Sequence, residues 1–313
     1  MVSRPAQPRR KPSRLFRILV TFCLILFGFE SESFASLAVE GPAGPGESQP
    51  AESYVLPITP PLDQGDSDLC WVYATLSMLE TNYLYRHPGS KISLSRAALQ
   101  RDSVADRFAR LIRGQRSPLE DGGLAVEALA LIRQDGLVAR GDFHHVVDSG
   151  PIYASIKRRL ARYKSRANKL KALDRELKGR LGSKPPITHL DGEVLSPGQL
   201  AKAVLGGHQW TEFDRSRDGL RNWGPSHDPD ARSDTRVLYV GLGRMIDLIH
   251  RSLAQGKAVA AGSADHEFLI YGGDYDRVGK PISYLIKDSL APHIYRANAE
   301  TIHRMLNDVT VER

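Results

Sequence analysis

Cysteine is scarce in this chain: Cys23 and Cys70 are the only two among 313 residues. A disulfide framework needs pairs, and Cys23 sits in an N-terminal stretch with the form of a removable signal, which leaves Cys70 without a partner. Long apolar runs are also missing. Ile18 to Phe29 stays uncharged for twelve residues, whereas a membrane-spanning helix wants about 20. Acids are absent from the first 17 residues, which hold Arg4, Arg9, Arg10, Lys11, Arg14 and Arg17. A basic start, a short apolar run and small residues at Ser33 and Ala35 read as a secretory signal over 1–35 and hence an exported protein, secreted or periplasmic. An anchor retained through 18–29 is the alternative. Loss of 1–35 would take away six bases and two acids, so the formal charge of +7 falls to +3. No internal repeat is evident.

What is present suffices for a sizeable core, since 41% of residues are hydrophobic. Residues 36–56, rich in Ala, Gly, Pro, Glu and Ser, read as a flexible linker or short pro-region, and the folded domain is expected over 57–313. Leu69 to Tyr85 contains no Gly or Pro and predicts a helix with Cys70 in its first turn, with Asp66, Ser67 or Asp68 available as caps. Further helices are expected over Ser95–Arg113 and over Ala125–Gln134, the latter stopped at Gly136. Val259–Gly262, Glu267–Tyr271 and Ile282–Lys287 read as strands, and the chain is expected to close with a helix and a strand over 299–311. Helices first and strands last argue for an α+β fold with segregated halves. Residues 185–235 show no period and are expected to be loops with one short helix at Gln199–Leu205.

Residues 151–184 stand apart, with twelve Lys or Arg against two acids, a net +10. Ile156, Tyr163, Leu170 and Leu177 recur every seven residues, which predicts a long amphipathic helix or a helical hairpin. The bland reading is a solvated charged face; the functional one is contact with an anionic surface. Two other motifs are set aside. His144 and His145 lack the further ligands that a metal needs, and Gly241-Leu242-Gly243 lacks the third glycine and the strand-to-helix setting of a dinucleotide site. No cofactor, no metal and no nucleic acid is expected.

Cys70 has a context that an inert buried thiol would not need. Gln64 lies six residues ahead of the Cys70-Trp71 pair, a spacing that lets a side-chain amide serve an oxyanion formed by a thiol nucleophile. A helix start favours thiolate. His266, between two strands, is the candidate base, and Asp288, ending the next strand, is the candidate orienter. With Gln64, Cys70-Trp71, Gly122-Gly123, Asp265-His266 and Lys287-Asp288-Ser289 in this order over residues 57–291, the sequence resembles the papain-like cysteine peptidases. The helical insertion before His266 and the closing helix and strand are most similar to the bleomycin hydrolase-like branch.

The resemblance implies a papain-like fold with a helical half, an antiparallel β half and a long basic helical insertion. It implies Cys70 as nucleophile, His266 as base and then acid, Asp288 as orienter, and Gln64 with the Cys70 N–H as oxyanion donors. Gly122 and Gly123 would offer backbone hydrogen bonds to an extended peptide or protein substrate. Asp288 stands where the family has asparagine, Leu290 where a tryptophan shields that contact, and Leu69 where a small residue precedes the cysteine. Those departures keep two rivals open: an amidase or acyltransferase on the same fold acting on cell-wall peptides, and a binding protein without turnover.

Overall fold

The computed structural model describes residues 50–115, 117, 119, 122–144, 146–148, 150–215, 235–290 and 292–313, and the signal and anchor expectations for 1–35 lie outside them. Among the described residues no helix is long and apolar enough to cross a membrane. The polypeptide from Ser48 to Arg313 forms one compact unit. Its sheet starts within the stretch expected to be a linker: β1 (Glu52–Val55) pairs antiparallel with Gly272–Tyr275.

Helix α1 (Cys70–Arg86) is buried on every side from Trp71 to Tyr83. It lies between the sheet and the other helices, so the apolar face expected of a surface helix is replaced by burial all round. Its N-cap is Leu69, and no side chain caps it. The expected caps fail because the Ser67 hydroxyl turns back to donate to Gln64 O at 2.6 Å. Helix α2 (Arg96–Ile112) starts at Ser95, whose hydroxyl accepts from Ala98 N. Helix α3 (Ala125–Asp135) ends at Gly136 with φ of 78°, a conformation that glycine tolerates best. A Cβ at Gly136 would also meet the Pro197 carbonyl carbon at 2.4 Å.

The basic segment is a hairpin of α4 (Gly150–Leu160) and α5 (Arg166–Leu181). Its apolar residues Ile152, Tyr153, Ile156, Leu160, Leu173, Leu177 and Leu181 pack with Val104 and Phe108 of α2 in a second small core. The seven-residue seam does not hold throughout. Leu170 is exposed, because the chain folds back after Leu160 and the second helix starts a new phase.

Residues 185–235 hold more structure than their sequence suggested. A short hairpin of β2 (Thr188–Leu190) and β3 (Glu193–Leu195) precedes α6 (Pro197–Leu205), which opens with a capping box between Ser196 and Gln199. Strand β4 (Trp210–Asp214) is buried throughout and pairs in parallel with β5 (Thr235–Tyr239). Helix α7 (Leu242–Ala254) follows β5 and has Gly241 at its N-cap. The strand-to-helix setting thus exists at Gly241-Leu242-Gly243, although the third glycine of a dinucleotide motif does not.

Five of the remaining elements run close to expectation: β6 (Val259–Gly262), β7 (Glu267–Tyr275), β8 (Pro281–Asp288), α8 (Ala299–Met305) and β10 (Asp308–Glu312), whereas β9 (His293–Asn298) was not expected. The main sheet has the order β5-β4-β10-β6-β7-β8-β9, antiparallel except for β4 with β5. This is the expected α+β architecture.

A buried polar network ties the helical half to the sheet. Glu80 of α1 takes a double ion pair from Arg96, a hydrogen bond from Leu94 N at 2.7 Å and another from the Thr59 hydroxyl at 2.6 Å. Lys287 of β8 donates to Thr59 at 2.8 Å. Burial raises the Glu80 carboxyl, but the charge and hydrogen bonds of Arg96 more than reverse this and hold it below the usual range. Removal of one partner strands a buried charge. Arg96→Ala should therefore cost about 3–5 kcal/mol, measured by chemical denaturation of purified protein.

Candidate active site

The site forms where the head of α1 meets the start of β7. Cys70 opens α1 and is half-buried. Its sulfur accepts hydrogen bonds from the backbone N–H of Glu267 and of Trp71, which lodges it one residue from His266, itself just ahead of β7. Strand β8 runs antiparallel to β7 and pairs Leu269 with Lys287, so the residue that ends β8 comes back beside the residue that precedes β7. His266 Nε2 and Asp288 Oδ1 are accordingly 2.8 Å apart, with side chains only 11% and 15% exposed. Burial pushes the Asp288 carboxyl up, but the hydrogen bond and charge of His266 and the N–H groups of Leu290 and Ser289 outweigh it and leave Asp288 below its ordinary value.

Leu290, in place of the shielding tryptophan, is largely exposed. On β9, Tyr295 lies opposite Ile286 in the register, and its hydroxyl donates to Asp288 Oδ2 at 3.5 Å. The sequence offered no signal for this residue, since only the pairing of β8 with β9 reveals it.

Gln64 is fixed on three sides. Its N–H donates to Ser289 O at 2.9 Å, its Oε1 accepts from the Ser289 hydroxyl at 2.7 Å, and its Nε2 donates to Ser67 O at 2.8 Å. An amide nitrogen has two protons, so one donor is spent on the loop and one is left. Gly122 and Gly123 lead into α3, and Gly123 rests on the indole of Trp71, where a Cβ would approach to 2.7 Å. That contact puts the glycine pair beside the residue that follows Cys70. Arg107, bonded to Gly122 O and paired with Glu127 at 3.4 Å, holds the segment from α2. His266 is thus in contact with Asp288, Cys70 with the residue after His266, Gln64 with the residue after Asp288, and Gly123 with the residue after Cys70.

Beneath this spot lies a feature that the sequence did not suggest. Glu267, Glu212 and Asp308 are buried on one face of the sheet, with Asp214 opposite Asp308. The Glu267 and Glu212 carboxyls accept from the first two amides of α3, those of Ala125 and Val126, where a helix favours negative charge. Burial and the mutual repulsion of these acids nevertheless raise Glu267 and Glu212 far above the carboxylate range.

The thiol responds to the same burial. Desolvation pushes Cys70 up to about 12, with the Glu267 carboxyl adding and the Glu267 and Trp71 amides opposing. Burial is the largest of these causes. The thiolate expected from the helix start is therefore not the resting state, since loss of hydration outweighs the helix dipole here.

Two cavities bear on access. A void of about 10 Å³ lies under Glu267, Phe268, Lys287, Asp288 and Ser289, enough for about one water. A cleft of about 760 Å³ lined by Tyr83, His87 and Asp191 lies at the other end of α1, about 24 Å from Cys70 by helix rise. Among the described residues no group of three His, Cys, Asp or Glu is arranged to hold a metal. His144 is described and His145 lies outside the described residues.

No protein-family model matches the chain and no curated protein sequence matches it. Solved structures do. PepW from Lactobacillus rhamnosis HN001 aligns over 85% of this chain and 82% of its own, with a TM-score of 0.63 at 16% identity. Xylellain, a cysteine protease from Xylella fastidiosa, aligns over 85% and 87%, with a TM-score of 0.45 at 14% identity. The likeness to PepW establishes the fold, and with the helical half, the antiparallel half and the inserted hairpin that fold is papain-like.

The buried acids generate a pH dependence. Burial, with repulsion from Asp214, raises Asp308 from 3.8 to about 7. The folded state then keeps a proton that the unfolded chain has lost, so this contribution is complete below about 3.8 and disappears as pH rises through about 7. Thermal melting across that window should show falling stability, and Asp308→Asn should flatten the fall.

Proposed function

We propose that the protein is an exported cysteine peptidase, nearest to the bleomycin hydrolase-like branch of the resemblance, with Cys70 as nucleophile, His266 as base and Asp288 as its orienter. The observation that supports this most directly is the 2.8 Å contact between His266 Nε2 and Asp288 Oδ1 beside a sulfur held on the amide of the next residue, Glu267. With Nε2 engaged by Asp288, the ring nitrogen left for the thiol proton is Nδ1.

In this reading the resting thiol keeps its proton. As a peptide carbonyl settles over Cys70, the thiol proton moves to His266 Nδ1 and the sulfur bonds to the carbonyl carbon. The low-lying Asp288 carboxylate stabilises the imidazolium so formed. The oxyanion meets the Cys70 N–H and the second proton of Gln64 Nε2, whose carbonyl oxygen is pinned by Ser289. Collapse breaks the C–N bond, and the amine leaves with the proton from His266. Water then adds to the thioester as His266 takes its proton, and collapse breaks the C–S bond, releases the acid and returns the proton to the Cys70 sulfur. Gly122 and Gly123, with no side chains to obstruct, would line an extended peptide; the Gly122 carbonyl, already bonded to Arg107, is the less available partner.

One observation favours a second reading. A thiol raised to about 12 by burial suits a binding protein on this fold that has lost turnover. Alkylation separates the two. For a peptidase, His266 takes the thiol proton as the sulfur is alkylated, so iodoacetamide should label Cys70 at pH values well below about 12, and His266→Ala should remove that labelling. An idle thiol would label only as pH approaches its own raised value, with or without His266.

For the peptidase, Cys70→Ala should abolish hydrolysis of a casein digest without altering the far-ultraviolet dichroism. His266→Ala should lower kcat/KM by about 10²–10⁴-fold. Persistent hydrolysis by the Cys70→Ala protein would end the proposal, and amide or transfer products in place of new peptide termini would move it to the amidase or acyltransferase rival.

A further inference from the structure

The base and the tip of the α4–α5 hairpin use their cations differently. At the base, Lys184 is paired with Asp102 at 2.5 Å and donates to Asp135 O at 2.7 Å, while Arg101 donates to Gly182 O at 3.0 Å. Further along α5, Lys178 is paired with Asp174 and Arg180 with Glu176. Those charges are compensated within the protein.

At the tip they are not. Between Lys157 and Lys171 the sequence has eight bases and no acid, and of these only Arg159 meets a carboxylate, Glu176 at 3.0 Å, among the described residues. Arg158, Arg162, Lys164 and Arg166 are exposed on the end of α4, the connecting turn and the start of α5. The apolar face of the hairpin is already used against α2, so folding does not explain the tip charges. A solvated helix face normally mixes both signs. Like charges crowded within a few ångströms repel, and counter-anions relieve that cost.

Leu170 adds a second, independent feature. It is 40% exposed and stands between Lys169 and Lys171, whereas Tyr163 of the connecting turn is half-buried against the hairpin's core. An apolar side chain flanked by long basic ones suits a boundary where headgroups meet acyl chains, with the bases reaching out to phosphates. A dissolved polyanion would give Leu170 nothing to enter.

We propose that the tip of the α4–α5 hairpin is a docking surface for an anionic lipid bilayer. The reading is independent of whether Cys70 is catalytic. Headgroup phosphates would pair with the tip bases, Leu170 would enter the interface, and the site on α1 and β7 would be held near the membrane on a scaffold that packs through α2.

The test uses the full chain and vesicles of phosphatidylglycerol mixed with phosphatidylcholine, against vesicles of phosphatidylcholine alone. Co-sedimentation should occur with the anionic vesicles only and should weaken with added salt. The combined variant Lys157→Gln, Arg158→Gln, Arg162→Gln and Lys164→Gln should melt at the parent temperature and partition about six hundredfold less, given a loss of about fivefold for each of the four bases near the surface. Leu170→Ser should weaken vesicle binding and leave binding to soluble linear polyphosphate unchanged. Vesicle binding equal in parent and combined variant would overturn the proposal, as would no vesicle binding at all. Binding to polyphosphate without vesicles would assign the tip to a soluble polyanion instead, and salt-sensitive self-association without vesicles would assign it to the acidic remainder of a second copy.

Discussion

The geometry of the site rests on one packing event, the pressing of the head of α1 against the first residues of β7. These pieces of chain are almost two hundred residues apart, and each is weakly placed by its own surroundings: α1 has no side-chain cap, and His266 sits in a connection between strands. Depth of burial fixes them. α1 is enclosed from Trp71 to Tyr83 and pinned along its length by backbone donors of β6 and its approach, Ala258 N to Asn82 Oδ1 at 2.7 Å and Ala260 N to Met78 Sδ at 3.3 Å. At its far end Arg86 and Asn82 both reach Glu312 of β10. A helix held at several levels against one sheet has no freedom to slide, so the position of the sulfur follows from contacts made up to five turns away.

The same enclosure sets the electrostatics. Desolvation pushes the thiol up to about 12, raises Glu267 and Glu212 and lowers Lys287 to about 8. Asp288 and Glu80 are instead held below the usual carboxylate range, because each has a cationic or N–H partner within hydrogen-bond reach. The result is a site with few permanent charges, in which the carboxylate behind His266 is the local anion. An interaction in such surroundings is stronger than in water, and so a single imidazole contact can govern whether the thiol loses its proton.

Much of this was readable in the sequence, and the reasons for the rest are physical. Cys70, Gln64, His266 and Asp288 lie at the ends of elements whose apolar periods or freedom from Gly and Pro are plain, so their neighbourhood followed once the order of elements was fixed. Strand β4 was hidden because Glu212 and Asp214 occupy buried positions. Acids in a strand signal solvent, and only the pairing with β10 and the amides of α3 make burial tolerable. Tyr295 was hidden for a different reason: its role is set by register between strands, which no single segment encodes. The hairpin was legible as helical and basic, but the division between a neutralised base and an uncompensated tip depends on Asp102 and on a turn whose position the seven-residue repeat obscured.

Strand β1 has a bearing on maturation. Glu52–Val55 is hydrogen-bonded to Gly272–Tyr275, and the next residue, Leu56, donates to Tyr271 O at 3.0 Å. From there the polypeptide leads to Gln64, whose amide is bonded to Ser289. A detachable inhibitory plug cannot include these residues, since their excision would strip an edge from the strand that begins beside His266 and slacken the loop that aims Gln64. Any processing cut compatible with this architecture falls upstream of Glu52.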